Sequence, residues 1–331
     1  MAASMLVALV ATFAIQVTTA VAATATSGPI IGVFAQPVTQ RLREAFHANA
    51  DFISLTNVQW LEAAGARVVP IPYNAPVGQL DKLLSQLNGV MFPGGEVDVN
   101  DKAAYVFKRA VEMNDNGVHF PVWGTCLGFQ WLFQLAANDL SALEKDCYDS
   151  MNLSLPLEFT ADAKQSRLFG QAGDDINTWL ATLPLTQNSH HDGTSVEHFR
   201  RYPALVDFFT VLATNEDRQG RGFISAVEAR RYPIYGVQFH PEKNAYDYVE
   251  YEDGSPYRDV DHSPEAIKVA QYFANFFVQE ARKNGQKFAD PTERHRALIY
   301  NYRARHIPSP ILPDAYFFFD FPPNDNTTSV F

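Results

Sequence analysis

Residues 121–129 read Pro121-Val122-Trp123-Gly124-Thr125-Cys126-Leu127-Gly128-Phe129. A short apolar run enters a turn with a glycine on either side of a cysteine, and a helical pattern follows from Leu127 to Ala137. This is the thiol counterpart of the strand–nucleophile–helix elbow, G-x-S-x-G. The glycines are needed because a sharp strand-to-helix turn crowds any Cβ near the nucleophile. The thiol then stands at a helix N-terminus, where the backbone dipole favours a thiolate. The backbone N–H of Leu127 points the same way and suits a developing oxyanion. The plainer alternative is a buried structural Cys126 beside a turn. Cys147 has no such frame and reads as an inert, buried or half-buried thiol. The two cysteines are the whole complement, so a disulfide framework is absent, and the context of Cys126 argues against a bridge between them.

Outward from the elbow, short apolar runs alternate with helical patterns. Pro29 to Ala35 reads as a buried strand, and about Leu42 to Ala64 as a helix stopped at Gly65, a good C-cap residue. Arg67 to Ile71, Gly89 to Phe92 and Phe120 to Trp123 read as further strands, with an amphipathic segment at Leu80 to Leu87 and a helix over Asp101 to Asn114 between them. Strands alternating with helices over short connections predict βαβ units and a central, mostly parallel sheet flanked by helices, in one α/β domain. The middle, about Cys147 to Arg201, is less periodic and predicts loops and antiparallel pieces. Apolar runs return at Ala204 to Leu212, Gly222 to Val227 and Tyr232 to Phe239. Ser263-Pro264-Glu265 opens a helix to about Lys283, with a capping Ser, Pro in the first turn and an acid at the positive dipole end. The stretch from Pro308, rich in Pro and Phe, reads as irregular, with residues 321–331 as a C-terminal tail.

Two more segments carry chemistry. In Tyr235-Gly236-Val237-Gln238-Phe239-His240-Pro241-Glu242 a strand delivers His240 at its end, and an acid follows two residues on. A base must reach the thiol and a third group must orient the base. Glu242 can reach back to the imidazole after Pro241 fixes the turn. A lone histidine after a strand is structural more often than not; the cysteine elbow upstream makes His240 the base. In Phe92-Pro93-Gly94-Gly95-Glu96 the paired glycines at a strand end let a backbone N–H face a cleft, which suits the second donor of an oxyanion hole, with Gly94 a candidate substrate contact. Read alone, this pair serves equally as an ordinary turn.

Composition bounds the function. The 331 residues carry a net charge of −11 with no block of like charges, so nucleic acid is an unsuitable partner. The first residues hold an apolar run from Met5 to Val17, too short to span a bilayer, followed by Ala20-Val21-Ala22. That pattern predicts a signal peptide over residues 1–23, although no Lys or Arg precedes the apolar run. Asn152-Leu153-Ser154 and Asn326-Thr327-Thr328 have the form of glycosylation acceptors, each weak alone. The expectation is a protein exported to the extracellular space or to a lysosomal or vacuolar lumen, with no membrane-spanning segment in its mature form.

The cysteine elbow, the histidine segment and the double glycine, in this arrangement, resemble the class I glutamine amidotransferase fold. More closely, the chain is similar to the folate gamma-glutamyl hydrolase family, over about Gly28 to Asp320. The resembling stretches are PIIGVFAQP near residue 30, LEAAGARVVP at Leu61 to Pro70, NGVMFPGGEVD at Asn88 to Asp98, FPVWGTCLGFQ at Phe120 to Gln130, YPIYGVQFHPEKNAYDY at Tyr232 to Tyr248 and ALIYNY at Ala297 to Tyr302. The resemblance implies that Cys126 is the nucleophile, His240 the general base and acid, Glu242 its partner, and Gly95 and Leu127 the oxyanion donors. It implies a γ-glutamyl thioester on Cys126, folylpoly-γ-glutamate as substrate, no metal or organic cofactor, and a homodimer. It also implies a substrate contact at His190, in Gln187-Asn188-Ser189-His190-His191. Two rival readings are a glutaminase-type amidotransferase feeding ammonia to a synthase, and a secreted binding protein that keeps the fold without the activity.

Overall fold

The computed structural model describes residues 25–38, 50–305 and 315–318. The chain runs through β1 (Ile30–Phe34), β2 (Gln36–Pro37), β3 (Asp51–Ser54), α1 (Leu55–Ala63), β4 (Arg67–Ile71), α2 (Val77–Leu84) and β5 (Gly89–Phe92). It continues with α3 (Asp101–Asp115), β6 (Val122–Thr125), α4 (Leu127–Ala137), β7 (Ser150–Leu155), β8 (Glu158–Phe159), α5 (Arg167–Gly170), α6 (Asp174–Thr182) and β9 (Thr186–His190). The last elements are α7 (Val196–Arg200), α8 (Pro203–Phe208), β10 (Phe209–Glu216), β11 (Gly222–Ala229), β12 (Ile234–Val237), α9 (Pro264–Arg282), α10 (Pro291–Ala297), β13 (Ala304–Arg305) and β14 (Ala315–Phe318).

Eight strands form one sheet in the order β4-β1-β5-β6-β12-β11-β10-β8. The five from β4 to β12 are parallel, and β11, β10 and β8 extend the sheet antiparallel. The parallel strands are apolar on both faces, as expected where helices cover both sides. Side chains alternate between two cores. Ile31, Val33, Met91, Trp123, Tyr235 and Val237 face a layer containing α1, α6 and α9. Phe34, Val90, Phe92, Val122 and Ile234 face α2, α3 and α4. Aromatic contacts key the layers: Trp60 lies 5.5 Å from Trp123 on one side, and Phe34, Phe92 and Trp131 meet edge to face on the other.

Three expectations are corrected. Within the helix expected over Leu42 to Ala64, Asp51–Ser54 is a strand that pairs with β2 and β14, and Leu55–Ala63 is helical; residues 42–49 lie outside the described residues. Asp51 is further held by accepting the Tyr73 amide at 2.9 Å. The apolar run from Ala204 begins as helix, since Pro203 at its first position presets a helical φ, and the strand starts at Phe209. The Pro- and Phe-rich end contains the strand Ala315–Phe318, whose Ala315 and Phe317 meet Val38 while Phe318 meets Tyr302. The helix at Ser263 is present, with Ser263 Oγ accepting the Ala266 amide.

Candidate active site

Cys126 stands between β6 and α4 with φ 50° and ψ −105°, a left-handed backbone conformation costly for a residue with a side chain. The elbow is over-determined by its surroundings. Cys126 N–H donates to Val237 O at 2.9 Å, and Gly128 N–H donates to Pro93 O at 3.1 Å. A Cβ on Gly128 would lie 2.0 Å from Phe92 O, so α4 seats directly on the end of β5. Here the glycine serves close approach of two backbones rather than an unusual φ.

Three parallel strands deliver the site at their carboxyl ends, where open α/β sheets place their ligands. The end of β5 gives Gly94 and Gly95, β6 gives Cys126, and the chain after β12 gives Gln238, His240 and Glu242. Gly94 lies between Cys126 and His240: a Cβ there would be 2.6 Å from His240 Cε1 and 3.5 Å from Cys126 Cβ. His240 is nearly buried, and its Nδ1–H donates to Glu242 Oε1 at 2.7 Å. That bond fixes the ring and leaves Nε2 for the thiol. The ring is anchored through its backbone as well, since His240 N–H donates to Gln187 O at 2.9 Å.

Burial dominates the electrostatics. It pushes the Cys126 thiol up to about 12, while the Lys243 ammonium and the Leu127 amide pull the other way and Glu242 adds to the rise. Burial also lowers the His240 pKa, aided by Lys243 and opposed by the Glu242 carboxylate. The resting pair is therefore neutral thiol and neutral imidazole. The Leu127 amide at the helix start favours the thiolate, and desolvation outweighs it. Burial raises the Glu242 pKa, but the attraction of His240 and Lys243 outweighs this and holds it below the usual carboxylate range. Its second oxygen, Oε2, is buried without a hydrogen-bond partner.

The Leu127 amide faces the Cys126 sulfur. Gly95 is exposed, with the Gln36 side chain occupying the position a Cβ would take. His190, at the end of β9, is buried against Phe223, its Nδ1–H donating to Asp192 O at 2.8 Å. Burial pushes its pKa down to about 3, against the pull of the Asp192 carbonyl. Asn152 is exposed at an irregularity of β7, and its Oδ1 accepts the Asp259 amide at 2.7 Å. Cys126 and Cys147 are both free thiols. Residues 1–23, Asn326 and residues 321–331 lie outside the described residues.

The sequence reading missed several polar residues that line the centre. Gln238 Nε2 lies 3.7 Å from Cys126 Sγ. Gln130 Nε2 donates to Gln238 Oε1 at 3.3 Å and to Asp192 O at 2.9 Å, tying α4 to the loop after His190. Lys243 Nζ donates to Gln187 Oε1 at 3.2 Å. The first two were within reach of spacing alone. Gln130 is one helical turn beyond Cys126, and Gln238 is two residues before His240. Gln36 and Gln187 had no such signal. Among the described residues no helix is long and apolar enough to cross a membrane.

Comparison with known proteins places this geometry among relatives. The profile of the family described as glutamine amidotransferase class-I matches residues 50–248. The chain is 38% identical over 280 residues to gamma-glutamyl hydrolase B of Dictyostelium discoideum, covering 83% of this chain and 78% of that protein. It is 38% identical over 279 residues to gamma-glutamyl hydrolase of Homo sapiens, covering 83% and 84%. It is 34% identical over 282 residues to gamma-glutamyl hydrolase 1 of Arabidopsis thaliana, covering 83% and 78%.

Proposed function

The chain belongs to the class I glutamine amidotransferase family and, within it, to the gamma-glutamyl hydrolases, and from that premise we propose that it hydrolyses γ-glutamyl bonds of folylpoly-γ-glutamates with Cys126 as nucleophile. The observation that carries the reading is the placement of Cys126 and a Glu242-bound His240 on the two sides of Gly94.

His240 Nε2 takes the Cys126 proton as Sγ attacks the γ-carbonyl carbon, so the neutral resting pair becomes charged only as the bond forms. The developing oxyanion is held by the Leu127 N–H, with the Gly95 N–H as second donor. The imidazolium, stabilised by Glu242, then gives its proton to the leaving amine as the C–N bond breaks. A γ-glutamyl thioester remains on Cys126. Water attacks it with His240 again taking a proton, and the acyl group leaves as a γ-carboxylate with the thiol restored. No step in this sequence calls on a metal or an organic cofactor. We keep Gly94 and His190 as proposed substrate contacts, His190 only through a rearrangement that frees its ring, since both its nitrogens are bonded to Asp192 O and Asn188 Oδ1. We assign the signal peptide to residues 1–23, glycosylation to Asn152 and Asn326, and residence to the secreted or lysosomal/vacuolar space.

The test is incubation with pteroylpenta-γ-glutamate and chromatography of the products. Release of glutamate or γ-linked glutamate peptides is expected. Turnover of free glutamine with no cleavage of the pentaglutamate would instead mark a glutaminase.

A further inference from the structure

The Gly94–Gly95 peptide carries the second oxyanion donor, and two glycines in a row give it little to hold it. Neither has a Cβ to limit rotation of the peptide between them. Among the described residues the Gly95 N–H donates to no backbone acceptor. A donor aimed at a developing oxyanion is effective when it is fixed before the charge forms. The turn therefore needs a brace from outside itself.

Gln36 stands where such a brace belongs. β1 and β5 are neighbours in the sheet, so their carboxyl ends lie side by side. Gln36 leaves the end of β1 just after Ala35, whose N–H donates to Ile71 O at 2.8 Å, and it pairs with Phe52. Pro37 after it restricts its backbone to an extended conformation. Gln36 is 2% exposed. Its carboxamide meets the turn at two points. Nε2 donates to Pro93 O at a long 3.4 Å, and the Gly128 N–H donates to the same carbonyl at 3.1 Å. A Cβ on Gly95 would fall inside the Gln36 carboxamide. Gly95 is outside the left-handed region, so its own conformation does not call for glycine; Gln36 does. An apolar side chain would fill this buried place at a lower desolvation cost. The neighbouring Gly94 meets His240 and Cys126, so consecutive residues of one turn touch the catalytic pair and Gln36.

We propose that Gln36 is a positioning residue for the hydrolytic reaction: its carboxamide braces the Pro93-Gly94-Gly95 turn and holds the Gly95 N–H toward the oxyanion. The proposal rests on the hydrolase reading above and names the residue on which that reading's second donor depends. Gln36 touches no reacting atom in this role and acts through Gly95. It also gives the small sheet β13-β14-β3-β2 a part in the chemistry, since Gln36 is on β2. Loss of the brace weakens stabilisation of the tetrahedral intermediate and leaves the Cys126–His240 pair intact.

The test separates these two effects on the full chain, in a Cys147→Ser background so that Cys126 is the one thiol. Hydrolysis of pteroyl-γ-glutamylglutamate passes through an oxyanion. Alkylation by iodoacetamide does not: Sγ displaces iodide from a saturated carbon, and the thiol proton leaves through His240. Gln36→Ala should lower kcat about 10- to 100-fold, approaching the loss of one oxyanion donor, with far smaller changes in KM and in the alkylation rate of Cys126 followed by mass. Gly95→Ala displaces the same carboxamide, so the double variant should be about as slow as the slower single variant, not slower by the product of the two. Gln36→Met keeps the bulk and loses the N–H to Pro93; it should show the same split to a smaller degree, and gives the reading if Gln36→Ala fails to fold. An unchanged kcat, an alkylation rate that falls in step with kcat, or multiplicative losses in the double variant would overturn the brace while leaving the hydrolase intact. No cleavage of the substrate by wild type would sink the hydrolase reading itself.

Discussion

Cys126 and His240 are both buried, and burial decides their resting protonation. The thiol is held protonated and the imidazole neutral, so reactivity depends on proton transfer to His240 during attack. Cys126→Ala should reduce turnover by about 10⁴-fold or more with the fold retained. Cys147→Ser should keep most activity, because the Cys147 thiol donates to the Lys145 carbonyl at the surface. The reverse pattern in steady-state assays would refute the assignment. Glu242 orients the ring and favours its charged form. Glu242→Gln should therefore cost about 10- to 100-fold in turnover, roughly 1.4–2.7 kcal/mol of barrier, against several orders of magnitude for His240→Ala. The pH dependence has a definite sign. His240 must be neutral to act as base, and its pKa lies below the usual value of 6.5, so the acid limb of kcat/KM should fall below pH 6.5. Glu242 opposes that lowering, so its replacement by Gln should move the limb further toward acid. A limb that moves upward would show that Glu242 does not face the imidazole. At this scale the convergence of the cysteine, the histidine and the acid was legible because each has a local frame of turn residues. The polar residues around them were not, because their roles come from contacts across strands.

At the scale of elements, α9 is fixed to the sheet through one buried acid. Glu280 accepts from His119 at 2.9 Å and from Tyr235 Oη at 3.2 Å, and it pairs with Lys283. Burial alone would raise its pKa, but these partners outweigh it and bring it to about 2. The folded pKa lies below the unfolded value of 4.5, so the stabilisation is present above pH 4.5 and lost as pH falls from there through 2. The difference corresponds to about 3 kcal/mol. Glu280→Gln should lower the melting temperature at pH 7 and flatten the pH dependence of stability below pH 4.5, measured by thermal unfolding. An unchanged pH profile would mean that the network contributes nothing. The helix itself was readable from its Ser-Pro-Glu start; its anchor was not, since Glu280 looks like any surface acid until Tyr235 and His119 are brought to it. The helix expected from Leu42 erred for a related reason: strand Asp51–Ser54 owes its conformation to β2 and to β14, more than 260 residues away.

For the molecule as a whole, the segment that opens the sheet is tied to the end of its longest helix. Thr26 N–H donates to Arg282 O at 2.9 Å and Thr26 Oγ1 to Asn284 O at 2.8 Å, tying the start of the domain to the end of α9. None of these bonds involves residues 1–23, so their removal leaves the tie intact. Protein purified from a eukaryotic host should begin near Ala23 by N-terminal sequencing, and should lose mass on glycosidase treatment where Asn152 or Asn326 is used. An intact Met1 would refute the leader. The order of runs and caps along the chain was enough for the α/β class, the parallel strands and the elbow, because alternation, glycine turns and helix caps act between residues a few positions apart. Tertiary structure alone added β14 to a second sheet, set Gln187 and Lys243 beside His240, and buried the thiol and the imidazole. Those outcomes depend on which distant segments exclude water from one another, and no local pattern carries that.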